Sequence, residues 1–245
     1  MARRFLGAAL LLTTPAAAQE TYREAFDSRD LSAWAVTSKN DFNERSVEVS
    51  NDARLRIRAD TMGTGDDTVK FLGARLRRPV EIGDGICLAT TLDWNDQANG
   101  SYLTAALVLA AEETNENPLD LEDWLAVEYV GVPPGRNARL QIRERREGRS
   151  RTLEDEGWPE EQRTGRKIEK VRIMLELSPA KLRMWENGVL LHEGEPDPLP
   201  SHVFFYLQLS THSNYRAREV YFDQVEMSPG RCGDGVVFAE GGPEG

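Results

Sequence analysis

The sequence predicts an all-β sandwich or barrel, and three observations carry this prediction. About a dozen short segments alternate apolar and polar residues, which is the period of half-buried strands. These segments recur at nearly regular spacing, with turn residues between them. No segment has the longer apolar period of an amphipathic helix, and no internal repeat points to a solenoid or a propeller.

The strongest of these patterns lies in residues 171–227. Apolar residues alternate along VRIMLELS, KLRMWE, VLLHEGE, HVFFYLQLSTHS and REVYFDQVEM. Ser178, Pro179 and Ala180 interrupt the first run. Asn187 and Gly188 interrupt the next, and this pair is the best short signal for a hairpin turn. We therefore expect antiparallel strands joined by tight turns in this part of the chain.

The earlier part of the chain follows the same rule with weaker segments. We expect strands at 21–26, 47–49, 55–58, 71–76, 86–92, 102–109, 125–130 and 140–144. Residues 115–123 are acidic, contain a proline and are compatible with one helical turn. Residues 147–170 are strongly charged, and we expect only a short strand there, at 151–153.

The first 18 residues have the composition of a Sec-type signal peptide. Arg3 and Arg4 precede an apolar run at 5–12, and an Ala-x-Ala pattern ends at Ala18, before Gln19. The alternative is a membrane anchor, but the apolar run is much shorter than the roughly 20 residues that a span needs. We expect cleavage near Ala18, export to the periplasm or beyond, one β-sandwich domain at 19–232 and a flexible tail at 233–245.

Composition narrows the classes of partner. The 245 residues include 30 Lys and Arg against 41 Asp and Glu, a net charge of −11. An acidic exported domain lacks the basic surface that nucleic acids and anionic lipids require. We therefore expect no nucleic-acid partner, no integral membrane segment and a monomer.

The two cysteines, Cys87 and Cys232, form an even pair in a chain that we expect to be exported. An oxidising compartment favours a disulfide between them, which would tie the chain after the last strand to a middle strand. The alternative is two free thiols.

Four segments together resemble members of the concanavalin A-like lectin/glucanase superfamily, which includes laminin G domains and family 16 glucanases. They are Phe26-Asp27 with Leu31 and Trp34, the hairpin at 47–57, the strand–Asn-Gly–strand unit at 181–190, and the closing strand at 220–225. The resemblance implies a jelly roll of two antiparallel sheets. It also implies that a poly- or oligosaccharide binds on the concave face of one sheet.

The chain departs from the glucanases at their catalytic motif. Family 16 members carry Glu-x-Asp-x-Glu on one strand, which brings two carboxylates to the roughly 5 Å separation of a retaining mechanism. That spacing does not occur here: Asp120-Leu121-Glu122 lies in a loop-like segment, and Glu154-Asp155-Glu156 places adjacent acids on opposite faces of a strand. The resemblance therefore favours a lectin-like binding protein.

Alternation within the strands selects the candidate ligand-binding residues. If Leu125, Val127 and Tyr129 face the core, Glu128 faces the other way. The same alternation in the neighbouring segments predicts that six polar side chains point away from the core: Glu128, Gln141, Arg143, Tyr206, Gln208 and His212. Such side chains hydrogen-bond sugar hydroxyls, and Tyr206 has a ring that can stack on a pyranose. The alternative is an ordinary solvated face on which Glu128 pairs with Arg143.

Two other functions remain open on the same residues. A glycoside hydrolase or polysaccharide lyase would use Glu128 as base or nucleophile, with His212 or Tyr206 beside it. A hydrolase would also need a second carboxylate, for which Asp93 is the best candidate outside the face. The third reading is an envelope protein-interaction module without a sugar site.

Metal binding is a weaker expectation. Asp93 and Asn95 open an oxygen-rich stretch that partly resembles a calcium loop, and the alternative is a polar turn between strands. Asp27 and Asp223 are a second candidate pair for a structural calcium ion. We expect no other cofactor.

Overall fold

The computed structural model describes residues 21–65, 68–93, 103–131, 139–157 and 170–233, and these form strands almost throughout. The strands are β1 (Tyr22–Glu24), β2 (Trp34–Lys39), β3 (Glu44–Val49), β4 (Leu55–Asp60), β5 (Lys70–Leu76), β6 (Val80–Glu81), β7 (Ile86–Asp93), β8 (Leu103–Ala110), β9 (Trp124–Val130), β10 (Arg139–Arg146), β11 (Arg149–Gly157), β12 (Val171–Ser178), β13 (Lys181–Glu186), β14 (Val189–Gly194), β15 (His202–Thr211) and β16 (Arg218–Pro229). A 3-10 turn at Pro118–Asp120 is the one helical element of the described residues, and it confirms the single turn expected at 115–123.

The strands form two antiparallel sheets, which confirms the predicted sandwich. The back sheet has the order β14-β13-β12-β7-β16-β4-β3, with β1 also paired to β16. The front sheet has the order β11-β10-β9-β8-β15-β5-β2, with β6 also paired to β15. Neighbours in each sheet are often distant in sequence, as in β7 beside β16, and this is the arrangement expected of a jelly roll.

Alternating apolar residues of both sheets meet in one core. Leu107 and Phe205 point inward from the front sheet, and Ile57, Leu88 and Phe222 point inward from the back sheet; all five are buried. Burying one such side chain contributes about 1.5–3 kcal/mol, so this layer supplies most of the stability of the sandwich.

The hairpin between β13 and β14 turns at the predicted Asn-Gly pair. Asn187 and Gly188 have φ angles of 50° and 80°, which a type I′ turn requires at both positions. The Asn187 side chain also accepts a hydrogen bond from the backbone N–H of Arg172 at 2.9 Å, and this bond anchors the turn to β12.

The predicted disulfide is present. Cys87 on β7 and Cys232 after β16 are bonded, with their Cα atoms 5.0 Å apart. The bond closes a loop of chain between residues separated by 145 positions. It ties the end of the closing strand to the middle of the back sheet.

Three strands differ from the sequence prediction, and all belong to the front sheet: β2 and β11 lie at its edges, and the two-residue β6 is not among the expected strands. β2 was not expected beyond Trp34, and β11 extends on both sides of the short strand expected at 151–153. Each pairs with one neighbour only. Edge strands carry polar and charged residues that discourage pairing with other chains, so their apolar alternation is weak.

No helix within the described ranges has the length and apolar character needed to cross a membrane. The expected signal peptide and its cleavage point lie outside the described residues, as do residues 234–245 of the expected tail.

Candidate functional site

Because side chains alternate in direction along each strand, the predicted polar side chains lie on the outer face of the front sheet, which is turned away from the core. Glu128 lies opposite Gln141 on β10 and opposite Ala106 on β8. Gln208 on β15 lies on the other side of Ala106. These four residues therefore form one row across four neighbouring strands.

A connecting segment covers half of this face. We call residues 111–123, which join β8 to β9, the strap. Its Asn115 carbonyl accepts a hydrogen bond from the backbone N–H of Ser38 at 2.9 Å, and its Glu113 forms an ion pair with Arg75. These contacts lie on β2 and β5, so the strap crosses from one side of the sheet to the other.

Apolar residues lie beneath the strap and form a cluster separate from the core. They are Ala106, Val108, Ala110, Trp124, Ala126 and Tyr206, with Leu119 and Leu121 of the strap packed against them. Because strap and sheet exclude water here, this half of the outer face is a second, smaller apolar layer.

Tyr206 belongs to this covered half. Its ring is fully buried, and its hydroxyl accepts a bond from the Thr114 N–H at 2.9 Å and donates one to the Glu112 carbonyl at 3.2 Å. Burial raises the pKa of the Tyr206 hydroxyl. The structure thus places this residue as an anchor of the strap and not at the open surface where a sugar could stack.

Gln208 is also covered. Its side chain is buried, and its Nε2 donates to Asn117 Oδ1 at 3.0 Å. The same oxygen accepts the Leu119 N–H at 3.2 Å, so Asn117 caps the 3-10 turn of the strap. Gln208 therefore positions the strap from below.

The half of the face beside the strap is open and contains a cavity of about 410 Å³. Its lining residues are Val69, Phe71, Thr104, Asn117, Leu119, Asp120, Glu128, Val130, Gly131, Gln141, Arg143, Ser210, Thr211 and His212. Four of the six predicted ligand residues, Glu128, Gln141, Arg143 and His212, are in this set. Tyr206 and Gln208 are not.

Glu128 and Arg143 form the most buried charged contact of the cavity. Arg143 Nη2 donates to Glu128 Oε1 at 2.9 Å, and Arg143 Nε donates to the other carboxylate oxygen. The Arg143 guanidinium lies 5.5 Å from the centre of the Trp124 ring. The hydrogen bonds to Glu128 raise the pKa of Arg143. The ion pair considered from the sequence is thus present, and it lies in the wall of a cavity.

Asp120 of the strap forms a second ion pair at the mouth of the cavity. Its Oδ2 lies 2.6 Å from Nζ of Lys39 on β2. The hydrogen bond to Asp120 raises the pKa of the Lys39 ammonium group. The side chains are 38% and 50% exposed, so this pair remains in contact with solvent.

Sequence reasoning did not select the other ten lining residues, among them Phe71, Asn117 and Asp120. Phe71 alternates with the core residues Leu72 and Ala74, so the parity that selected Glu128 also places it outward. Asn117 before Pro118 is a helix-start signal, which identifies the turn but not its position over the sheet. No local pattern indicates that Asp120 reaches the cavity.

The weak calcium candidates lie elsewhere. Asp93 ends β7 in the back sheet, and its Oδ2 accepts a hydrogen bond from Arg54 at 2.7 Å. Asn95 lies outside the described residues. Within the described part of the chain, no three His, Cys, Asp or Glu side chains cluster in a way that could hold a metal ion. Asp93 thus forms an ion pair with Arg54 and lies in the sheet opposite Glu128. Because Asn95 lies outside the described residues, a calcium site at Asp93 and Asn95 stays a prediction.

Asp223, the other carboxylate considered for calcium, is half-buried beside a bulge in β16. Burial raises the pKa of its carboxyl group, although the N–H of Gln224 donates to it at 2.8 Å. The charged form is therefore less favourable in the folded protein than in the unfolded chain.

Asp223→Asn is expected to stabilise the protein at neutral pH. A raised pKa in the folded state means that wild-type stability is highest below the unfolded pKa and falls as the pH rises through the folded pKa. The substitution removes this loss, which thermal unfolding from pH 3 to pH 8 would measure. Asp52→Asn is the control with opposite sign: a hydrogen bond from Ser50 lowers the pKa of Asp52, so this variant should lose stability above pH 4. Equal pH profiles for wild type and Asp223→Asn would contradict the assignment.

Comparison with known proteins identifies the fold. No protein-family model and no curated protein sequence matches the chain. Among solved structures, the β-glucanase of Bacillus licheniformis matches with a TM-score of 0.59 and 11% identity, over 86% of this chain and 98% of that one. The laminarinase catalytic domain of Thermotoga petrophila matches with a TM-score of 0.59 and 13% identity, over 85% of this chain and 98% of that one. Lectin II of Ulex europaeus matches with a TM-score of 0.56 and 10% identity, over 86% of this chain and 99% of that one. The chain thus has the expected concanavalin A-like jelly-roll fold, which glucanases and lectins share.

Proposed function

We propose that this protein is exported and binds a poly- or oligosaccharide in the cavity beside the strap. The observation that carries the proposal is the lining of the cavity. An aromatic ring, Phe71 of β5, shares one concave site with amide, hydroxyl and charged groups from four other strands and the strap. A mostly preformed cleft that combines an apolar surface with a few converging polar groups is typical of small-molecule sites.

Each part of this lining matches one part of a sugar. The face of a pyranose is apolar and packs on an aromatic ring, which Phe71 supplies. Hydroxyl groups both donate and accept hydrogen bonds, as do the amide of Gln141 and the hydroxyl of Ser210. Glu128 accepts only, and Arg143 donates only. The set therefore offers donors and acceptors in several directions around one ring surface.

Two further observations support the proposal. The similar structures include glucanases and lectins, whose names refer to glycans. The disulfide fits an oxidising compartment, in agreement with the signal peptide expected at residues 1–18.

Phe71→Ala is expected to weaken glycan binding about tenfold, because the stacking surface is lost while the polar groups remain. The test is a glycan array with the chain from Gln19 to Gly245, with and without calcium, followed by affinity measurements on the glycan that binds. Leu190→Ala is the control, since Leu190 is an exposed apolar residue on β14 of the other sheet. An array without binding under both conditions would overturn the proposal and leave the protein-interaction module.

A glycoside hydrolase or polysaccharide lyase is the second candidate, and one observation favours it. Asp120 and Glu128 line the same cavity, so two carboxylates are available there without Asp93. The bidentate contact with Arg143 holds the Glu128 carboxyl group in a fixed orientation beside a cation, which suits a base or nucleophile. Incubation with the glycan found on the array tests this candidate. Turnover that disappears in Glu128→Gln while binding persists would establish an enzyme, and the absence of products would leave a binding protein.

A further inference from the structure

The charged side chains of the cavity are balanced by one another. Three lining residues among those described carry formal charge: Asp120, Glu128 and Arg143. Glu128 and Arg143 neutralise each other, and Asp120 is neutralised by Lys39 of β2. Two acidic and two basic groups therefore leave the site without net charge, although the whole chain carries −11.

From this balance we infer that the cavity selects uncharged glycans, and that the Lys39–Asp120 pair is a determinant of this specificity. The inference rests on the proposed glycan-binding function. A uronate or sulfate group that enters the cavity would have to displace a carboxylate from Arg143 or Lys39, or lose its water without gaining a cation. The hydroxyl groups of a neutral sugar hydrogen-bond to the paired charges without separating them. The two ion pairs, Glu128–Arg143 and Lys39–Asp120, thus disfavour the binding of acidic glycans.

The two pairs differ in a way that makes the inference testable. The side chain of Glu128 is only 6% exposed, so breaking its pair with Arg143 would leave a buried charge and disturb the fold. The Lys39–Asp120 pair lies at the solvent-exposed mouth, and exposed pairs contribute little to stability. Its charges can therefore be changed one at a time in a protein that stays folded, as circular dichroism would verify.

Removing the charge of Asp120 and removing the charge of Lys39 should have opposite effects on the preference for neutral over acidic glycans. Asp120→Asn keeps the size of the side chain and removes the carboxylate that is hydrogen-bonded to Lys39, so that Glu116 is the remaining acidic group known to act on this cation. This variant should bind acidic glycans about tenfold better relative to neutral ones, and the gain should disappear at high salt. Lys39→Met keeps the aliphatic stem and leaves Asp120 as an anion, so it should discriminate more strongly than wild type.

The experiment compares affinities for two panels of oligosaccharides of equal length. One contains neutral glucose, galactose and mannose oligomers, and the other contains uronate and sulfated oligomers. We expect wild type to bind a member of the neutral panel at least tenfold more tightly than any acidic oligomer. Equal or tighter binding of an acidic oligomer, or an Asp120→Asn variant with an unchanged ratio, would overturn the inference. Binding to neither panel would instead overturn the proposed glycan function itself.

Discussion

Arg143→Met is expected to destabilise the protein by about 3 kcal/mol and to abolish ligand binding. The substitution leaves the Glu128 carboxylate buried without its cation, and an uncompensated buried charge is far costlier than the loss of a surface ion pair. It also removes the guanidinium group that lies over Trp124 and lines the cavity. Urea denaturation followed by circular dichroism would measure the loss in the free energy of unfolding.

Two further variants separate the buried charge from the change in size. Arg143→Met combined with Glu128→Leu removes both charges and should recover most of the stability, without recovering binding. Lys181→Met removes the cation from an exposed ion pair with Glu193 and should leave the stability nearly unchanged. If Arg143→Met lost no more stability than Lys181→Met, the buried Glu128 carboxylate would not depend on Arg143 for the stability of the fold.

Removal of the disulfide, by Cys87→Ala with Cys232→Ala, has the second large expected effect. The bond joins positions 145 residues apart, and closing so long a loop in the unfolded chain corresponds to about 3–5 kcal/mol in the chain-entropy account. The bond ties β7 to the chain just after β16, and both strands belong to the back sheet, whereas the cavity lies on the outer face of the front sheet. The double variant should therefore lose stability and, while folded, bind its ligand like wild type.

Guanidinium denaturation of the double variant and of wild type, each with and without a reducing agent, tests this expectation. The reducing agent should lower the midpoint of wild type to that of the variant and leave the variant unchanged. A variant as stable as oxidised wild type would show that the pairing of β16 with β7 stabilises the closing strand sufficiently without the disulfide. A loss of ligand affinity in the folded variant would show that the two sheets are coupled.

Alternation along single strands predicted more of this molecule than any other signal. It located the core face and placed Glu128, Gln141 and Arg143 on one outer face, because each position depends only on a period of two within a strand. The same rule applied to Phe71 would have added the aromatic ring of the cavity. It was less informative for β2 and β11, whose edge positions require polar residues.

The role of Tyr206 illustrates what local patterns cannot show. Its outward direction was predicted correctly, but its accessibility depends on the strap above it. The path of the strap is set by contacts between distant positions, such as Ser38 with Asn115 and Arg75 with Glu113. Periodicity within one strand carries no information about such contacts, so a predicted stacking residue is instead an anchor.

The strap also bears on how proteins of this shape diverge. Its apolar contacts go to the outer face of the front sheet and form a cluster distinct from the core between the sheets. The contacts of the strap are thus largely separate from those that hold the two sheets together, and a segment of this kind can open at a lower free energy than the whole domain. Asn117 and Asp120, which shape the cavity wall, lie on this separately stabilised segment. Substitutions there can alter the choice of ligand while the sandwich that carries the site keeps its stability.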